Sequence, residues 1–134
     1  MGWYLDQKRW NAFSIKEFMI KIKLAGIYKI ECGDYYYIGL SKDIYSRWQS
    51  HYTALKRGNH SSNLLQDYFN EYGIEKFSFK ILERVSYTEW KKCSNLRGNE
   101  LKKAFGRYLI CKEREWMKTF SINFCLNKDD KWFS

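Results

Sequence analysis

Two runs rich in β-branched and aromatic residues, 24–31 and 35–40, are separated only by Cys32, Gly33 and Asp34, and this spacing constrains the chain more than any other feature. Runs of this kind around a Gly-Asp pair read as a β-hairpin. Its arms carry the words Gly26-Ile27-Tyr28 and Tyr37-Ile38-Gly39. Residues 43–57 follow, where Ile44, Trp48, Tyr52 and Leu55 fall on one stripe at 100° per residue and predict a helix. Arg47 and His51 lie one turn apart at the edge of that stripe. Two phenols, a guanidinium and an imidazole can therefore converge on one small site.

The remaining segments extend the pattern. Residues 62–72 read as a second helix ending at Gly73, 77–84 as a third strand, 87–93 as a short helical stretch and 99–120 as a long helix. The order ββααβ followed by helices predicts an α+β fold: a small three-stranded antiparallel sheet flanked by helices, with an N-terminal extension and a helical insertion before the last helix. At 134 residues the chain suits one domain over 1–134, made of a basic extension, 1–23, and a motif-bearing core, 24–128. Aromatic residues make up 19% and apolar residues 45%, which argues against disorder despite the charge.

Charge narrows the range of partners. The net charge is +9, and it is unevenly spread: residues 1–23 hold five Lys/Arg against two acids, 91–118 hold nine against three, and 24–90 hold eight of each. Basic flanks around a neutral, motif-bearing centre suit phosphate gripping on either side of a more specific event. The basic helices lack the broad apolar face needed for membrane insertion, so nucleic acid is the expected partner and membrane is not. Apolar runs are short, the N-terminus has no secretory pattern, and Cys32, Cys93, Cys111 and Cys125 form no ligand or CxxC spacing. Free thiols in a cytoplasmic protein are the resulting expectation.

The most informative acid is Glu113. On a continuous last helix it has Leu109 at i−4, Trp116 at i+3, Met117 at i+4 and Phe120 at i+7, so it belongs to an apolar face. A carboxylate there is expensive unless it meets a cation or a metal. Glu115 points toward Cys111, Lys112, Lys118 and Thr119, where a solvated role suffices.

Taken together, Gly26-Ile27-Tyr28, Tyr37-Ile38-Gly39, Ser41-Lys42-Asp43, Arg47, His51, His60-Ser61-Ser62, Leu65-Gln66 before Tyr72-Gly73, Glu113 with Trp116 and Met117, and Asn127 closely resemble the GIY-YIG nuclease domain, most of all its phage homing-endonuclease branch. The resemblance implies hydrolysis of DNA phosphodiester bonds with one divalent ion, Mg2+ or Mn2+. It implies that Glu113 is the metal ligand, a sparse arrangement that suits magnesium. Tyr28 would orient or deprotonate the attacking water with His51 as relay, since a free phenol titrates near about pH 10. Arg47 would clamp the scissile phosphate, Tyr37 would position the phosphate or Tyr28, Asn127 would hold the site together, and Lys42 and His60 would add phosphate contacts.

The homing branch carries a linker and a separate DNA-binding region after this domain, whereas the sequence here runs seven residues past Asn127. Sequence recognition is therefore expected to be weak or to come from elsewhere. A homo-oligomer cutting two strands, a nearly non-specific nuclease in the bacterial or phage-infected cell, and a subunit directed by another protein all stay open. The competing class is a nucleic-acid-binding module that kept the fold and lost the chemistry. Its usual mark is a missing Arg or Glu, and here both are present.

Overall fold

The computed structural model describes residues 3–5, 24–120 and 122–126. Strands β2 (Gly26–Cys32) and β3 (Tyr35–Ser41) form the expected hairpin, paired from Gly26↔Ser41 to Cys32↔Tyr35. Gly33 takes φ +61° at the first of the two turn residues, a conformation open to glycine and matched to the twist of a two-residue hairpin. Strand β4 (Phe77–Arg84) pairs antiparallel with the other side of β2, and the ladder skips Leu82 where Ile27 gives way to Tyr28. A bulge at this point sits where such irregularities re-aim a functional side chain.

The three predicted strands form the body of the sheet. A fourth, β1 (Trp3–Leu5), lies within the N-terminal extension and pairs with the outer edge of β4, giving the order β1-β4-β2-β3. Three residues are too few to show a period-2 pattern, so this strand was not legible in the sequence. The rest of the extension, 6–23, where the basic excess of that flank lies, and Asn127 are outside the described residues.

Helix α1 (Ile44–Arg57) starts at Asp43, whose carboxylate accepts from the Ser46 amide at 3.3 Å, and α2 (Asn63–Tyr72) starts at Ser62, whose hydroxyl accepts from the Leu65 amide at 3.2 Å. A short α3 (Tyr87–Lys91) precedes the long α4 (Gly98–Thr119). Tyr28, Ile30, Cys32, Phe77, Phe79 and Ile81 alternate onto one sheet face, where Ile44, Tyr45, Trp48 and Leu55 of α1 and Leu65 of α2 cover them. Ile27, Tyr36 and Ile38 face the other way, against Met117 of α4 and Cys125. Phe105 and Leu109 of α4 pack with Val85 beneath the α3 aromatics Tyr87 and Trp90. The helices thus cover both faces, and β3 is the outermost strand, bridged at Tyr36 by Cys125, with α1 and α4 approaching it from opposite sides.

Cys32 and Cys125 are buried, Cys93 and Cys111 exposed, and all four are free thiols as expected. Among the described residues no helix is long and apolar enough to cross a membrane.

Candidate active site

A pocket of about 510 Å3 opens at the β3 edge. Its walls include Tyr28 of β2, Tyr37 and Gly39 of β3, Arg47 and His51 of α1, and Glu113 of α4. Side chains as far as 85 positions apart in sequence thus meet around one cavity. Arg47 is exposed, so its guanidinium is free of burial cost and open to an incoming anion. Glu113 is 5% exposed on the apolar face of α4, as its spacing predicted, whereas Glu115 is exposed and pairs with Lys112 at 3.7 Å.

Beneath the pocket runs a chain of short hydrogen bonds whose direction is set by a backbone amide. The Ser62 amide donates to His60 Nδ1 at 2.9 Å, which assigns the His60 proton to Nε2. His60 Nε2 then donates to His51 Nδ1 at 2.6 Å, so His51 in turn carries its proton on Nε2 and donates to the Tyr28 oxygen at 2.6 Å. Both imidazoles are neutral in this arrangement. Burial, His60 and Arg47 push His51 down to about 3, and burial lowers His60 as well.

Two consequences follow. His51 directs no lone pair at Tyr28, so a relay through it starts only after this tautomer chain reverses; in the resting arrangement His51 supports the phenol oxygen as a donor. The phenol hydrogen is left to point elsewhere, and Tyr28 lines the pocket. Burial raises Tyr28 well above the ordinary phenol range, Tyr37 and Glu113 add to this, and Arg47 opposes it.

His60 also departs from its expected phosphate-contact role. It is buried, and both ring nitrogens bond within the protein, leaving neither for a phosphate. Its amide donates to Gln66 Oε1 at 3.0 Å, while Gln66 Nε2 donates to the Leu55 carbonyl at 3.0 Å and Asn70 Oδ1 at 2.8 Å, so Gln66 ties the His60 loop to α1 and α2. The sequence reading counted Leu65-Gln66 as a motif without a role; a buried glutamine with every bond satisfied is a positioning device. Lys42 is exposed beside Arg47 at a neighbouring depression, and its Nζ reaches the Lys102 carbonyl at 3.5 Å. Tyr37 stands edge-on to His51 with ring centroids 5.3 Å apart. The chain just before Asn127 is fixed beside this machinery, because the Ser62 hydroxyl donates to the Leu126 carbonyl at 3.3 Å and the Leu126 amide to the Tyr36 carbonyl at 2.6 Å.

Residues 24–121 match the family described as the GIY-YIG catalytic domain. The chain belongs to this family. Its GIY-YIG domain is 40% identical over 65 residues to Intron-associated endonuclease 1 of Enterobacteria phage T4, a match that spans 47% of this chain and 26% of that protein. The chain therefore corresponds to about a quarter of that relative's length. Among solved structures, the catalytic domain of homing endonuclease I-TevI is 31% identical with a TM-score of 0.52, covering 71% of this chain and 86% of that one. A point mutant of the catalytic domain of intron endonuclease I-TevI gives 30% identity and a TM-score of 0.54, covering 72% and 82%.

The glycine that closes the second GIY-YIG word has a physical reason in this chain. Tyr28 and Gly39 are directly opposed across β2 and β3, and opposed residues share a sheet face. A methyl group added at Gly39 would collide with the Tyr28 phenol itself. The absent side chain is what lets the ring cross β3 and reach the edge pocket. Gly39→Ala is therefore expected to displace Tyr28 from His51, costing about 1–3 kcal/mol of stability through overpacking and far more in cleavage. Thermal unfolding alongside single-turnover cleavage checks this; unchanged cleavage would show that the ring's position is unimportant.

Glu113 fits a single-carboxylate metal site. It is the only carboxylate among the residues lining the pocket, and its Oε1 is enclosed and accepts no hydrogen bond. No cluster of three or more His, Cys, Asp or Glu suited to a metal occurs among the described residues, so a cation here would complete its shell from phosphate and water.

Proposed function

We propose that the chain is an endonuclease that hydrolyses phosphodiester bonds of DNA with one divalent ion, Mg2+ or Mn2+, held by Glu113. The observation that carries this reading is that Arg47, Glu113, Tyr28 and Tyr37, from three different parts of the fold, line one pocket. An exposed guanidinium and a buried carboxylate lining one pocket suit a phosphate diester together with a cation that Glu113 would hold, a pairing that neither a sugar site nor an apolar ligand site requires. When bound, the ion acts as a Lewis acid on the phosphate and makes its water a stronger nucleophile.

The chain's own groups have distinct parts. Arg47 binds two non-bridging phosphate oxygens and stabilises the charge that builds on them. Tyr28, fixed by the His51 donor, orients the attacking water. To take that proton Tyr28 must first be a phenolate, which the His51 Nε2–H and Arg47 stabilise, and accepting the proton returns it to the neutral phenol. Tyr37 limits where the phosphate rests, and Asn127 would hold the site together by hydrogen bonds.

Because burial holds the Tyr28 phenol above its ordinary value, the fraction able to act as a base grows with pH. Cleavage of supercoiled plasmid is expected to climb from pH 6 to 9, to require Mg2+ or Mn2+, and to stop with chelator. No inflection at the ordinary imidazole value is expected, since His51 stays neutral down to about 3. Plasmid that stays intact across this range while being bound would instead make the chain a binding module on the same fold.

A further inference from the structure

We propose that α4 carries a track for the phosphate backbone of duplex DNA, formed by Lys103, Arg107, Arg114 and Lys118, which leads a strand into the Glu113 pocket. The proposal rests on the reading of that pocket as a DNA-cleaving site and says which surface the DNA lies on.

The placement follows from one pocket residue. Ile110 lines the cavity beside Glu113, so the face of α4 that contains Ile110 looks toward the pocket rim. On a helix the positions i−7, i−3, i+4 and i+8 share a face with i. Around Ile110 these are Lys103, Arg107, Arg114 and Lys118, all of them cations and all exposed. At 1.5 Å rise per residue the stripe is about 22 Å long, the axial length of roughly six base pairs of one strand. Arg114 stands beside Glu113, while Lys103 and Lys118 reach about 15 Å and 7 Å to either side. The one acid on this stripe, Glu100, sits beyond its Lys103 end, in the first turn of the helix. Across the pocket, Arg47 is exposed on α1 and Lys42 reaches over to the Lys102 carbonyl, so the groove has cations on both walls.

Three other cations of this segment are engaged differently. Lys112 lies on another side of α4 and pairs with Glu83 at 3.5 Å and Glu115 at 3.7 Å. Lys92 pairs with Glu89 at 3.3 Å, and Lys91 lies over the Tyr87 ring at 5.5 Å. Three of the nine cations of residues 91–118 are thus turned to local partners, while Lys103, Arg107 and Lys118 lie exposed on the stripe with Arg114. The stripe contains no aromatic residue on which unpaired bases could stack, so it suits the regular phosphates of a duplex better than a single strand.

The test compares two triple variants of equal charge loss in the full chain: K103Q/R107Q/K118Q on the stripe and K91Q/K92Q/K112Q away from it. Arg114 is left in place because it also interacts within the protein. Binding to a 20-base-pair duplex is measured across salt concentrations, with circular dichroism to confirm folding. The stripe variant is expected to flatten the slope of log K against log salt by about 2.7 units, and the control by less than about one. Arg107→Gln alone is expected to account for about one unit. Equal changes in the two triples, no change in either, or no duplex binding by the unsubstituted chain would overturn the track, as would tighter binding of a single strand that the stripe variant loses equally. Cleavage by the unsubstituted chain separates the two readings. A protein that cuts but shows equal slopes keeps the nuclease and loses the track, and one that never cuts but shows unequal slopes does the reverse.

Discussion

Replacing Glu113 with alanine is expected to abolish cleavage, by about a thousandfold or more, while leaving duplex binding within about twofold. The carboxylate sits 5% exposed in the pocket wall and carries no positive charge for the backbone, so its removal takes away the proposed ion and little of the binding. Folding should survive, because deleting a buried carboxylate from an apolar helix face relieves desolvation and leaves a small void. Glu113→Gln keeps the volume and removes the charge, and is expected to be nearly as inactive. Single-turnover cleavage, gel-shift binding and calorimetric titration with Mn2+ together check the assignment: both variants should lose the Mn2+ heat. Glu115→Ala is the matched control, since Glu115 is exposed and its ion pair with Lys112 contributes little. An active Glu113→Ala with an inactive Glu115→Ala would show that the wrong acid of this helix carries the metal.

Arg47→Lys is expected to lower cleavage by about a hundredfold or more, corresponding to about 3 kcal/mol of transition-state stabilisation, although the charge is retained. Lysine offers a compact, strongly hydrated ammonium where the proposed role needs a planar pair of donors on two phosphate oxygens. The guanidinium also opposes the burial effect on Tyr28, so a shorter or displaced charge raises the cost of the phenolate. Arg47 is exposed, so folding stability should change by less than about 0.5 kcal/mol. A loss confined to cleavage rate, with binding nearly intact, fits the clamp; near-normal cleavage by Arg47→Lys would show that only the charge matters.

Most of the secondary structure was legible because its signals are local. Asp43 and Ser62 sit where they cap α1 and α2, Gly58 and Gly73 end those helices, and the stripe from Ile44 to Leu55 repeats at the helical period. The placement of Glu113 was legible for the same reason: its neighbours at i−4, i+3 and i+4 put it on the apolar face of one long helix. Strand β1 was not, since three residues carry no period, and its pairing with β4 bridges more than seventy positions.

The family resemblance implied a phosphate contact for His60, whereas both its ring nitrogens bond within the protein, and the two roles differ only in what those nitrogens touch. The sequence by itself determined which chemical groups this protein has, and in which order along the chain: two phenols on a hairpin, an arginine and a histidine one turn apart, and one acid on an apolar face. Only the tertiary structure decided how they work together. It set the direction of the Ser62–His60–His51–Tyr28 chain and made Gly39 the opening through which Tyr28 reaches the pocket. The physical reason is range: capping, turns and helical periodicity act over a few residues, whereas a hydrogen-bond direction or a shared pocket wall exists only once distant segments pack together.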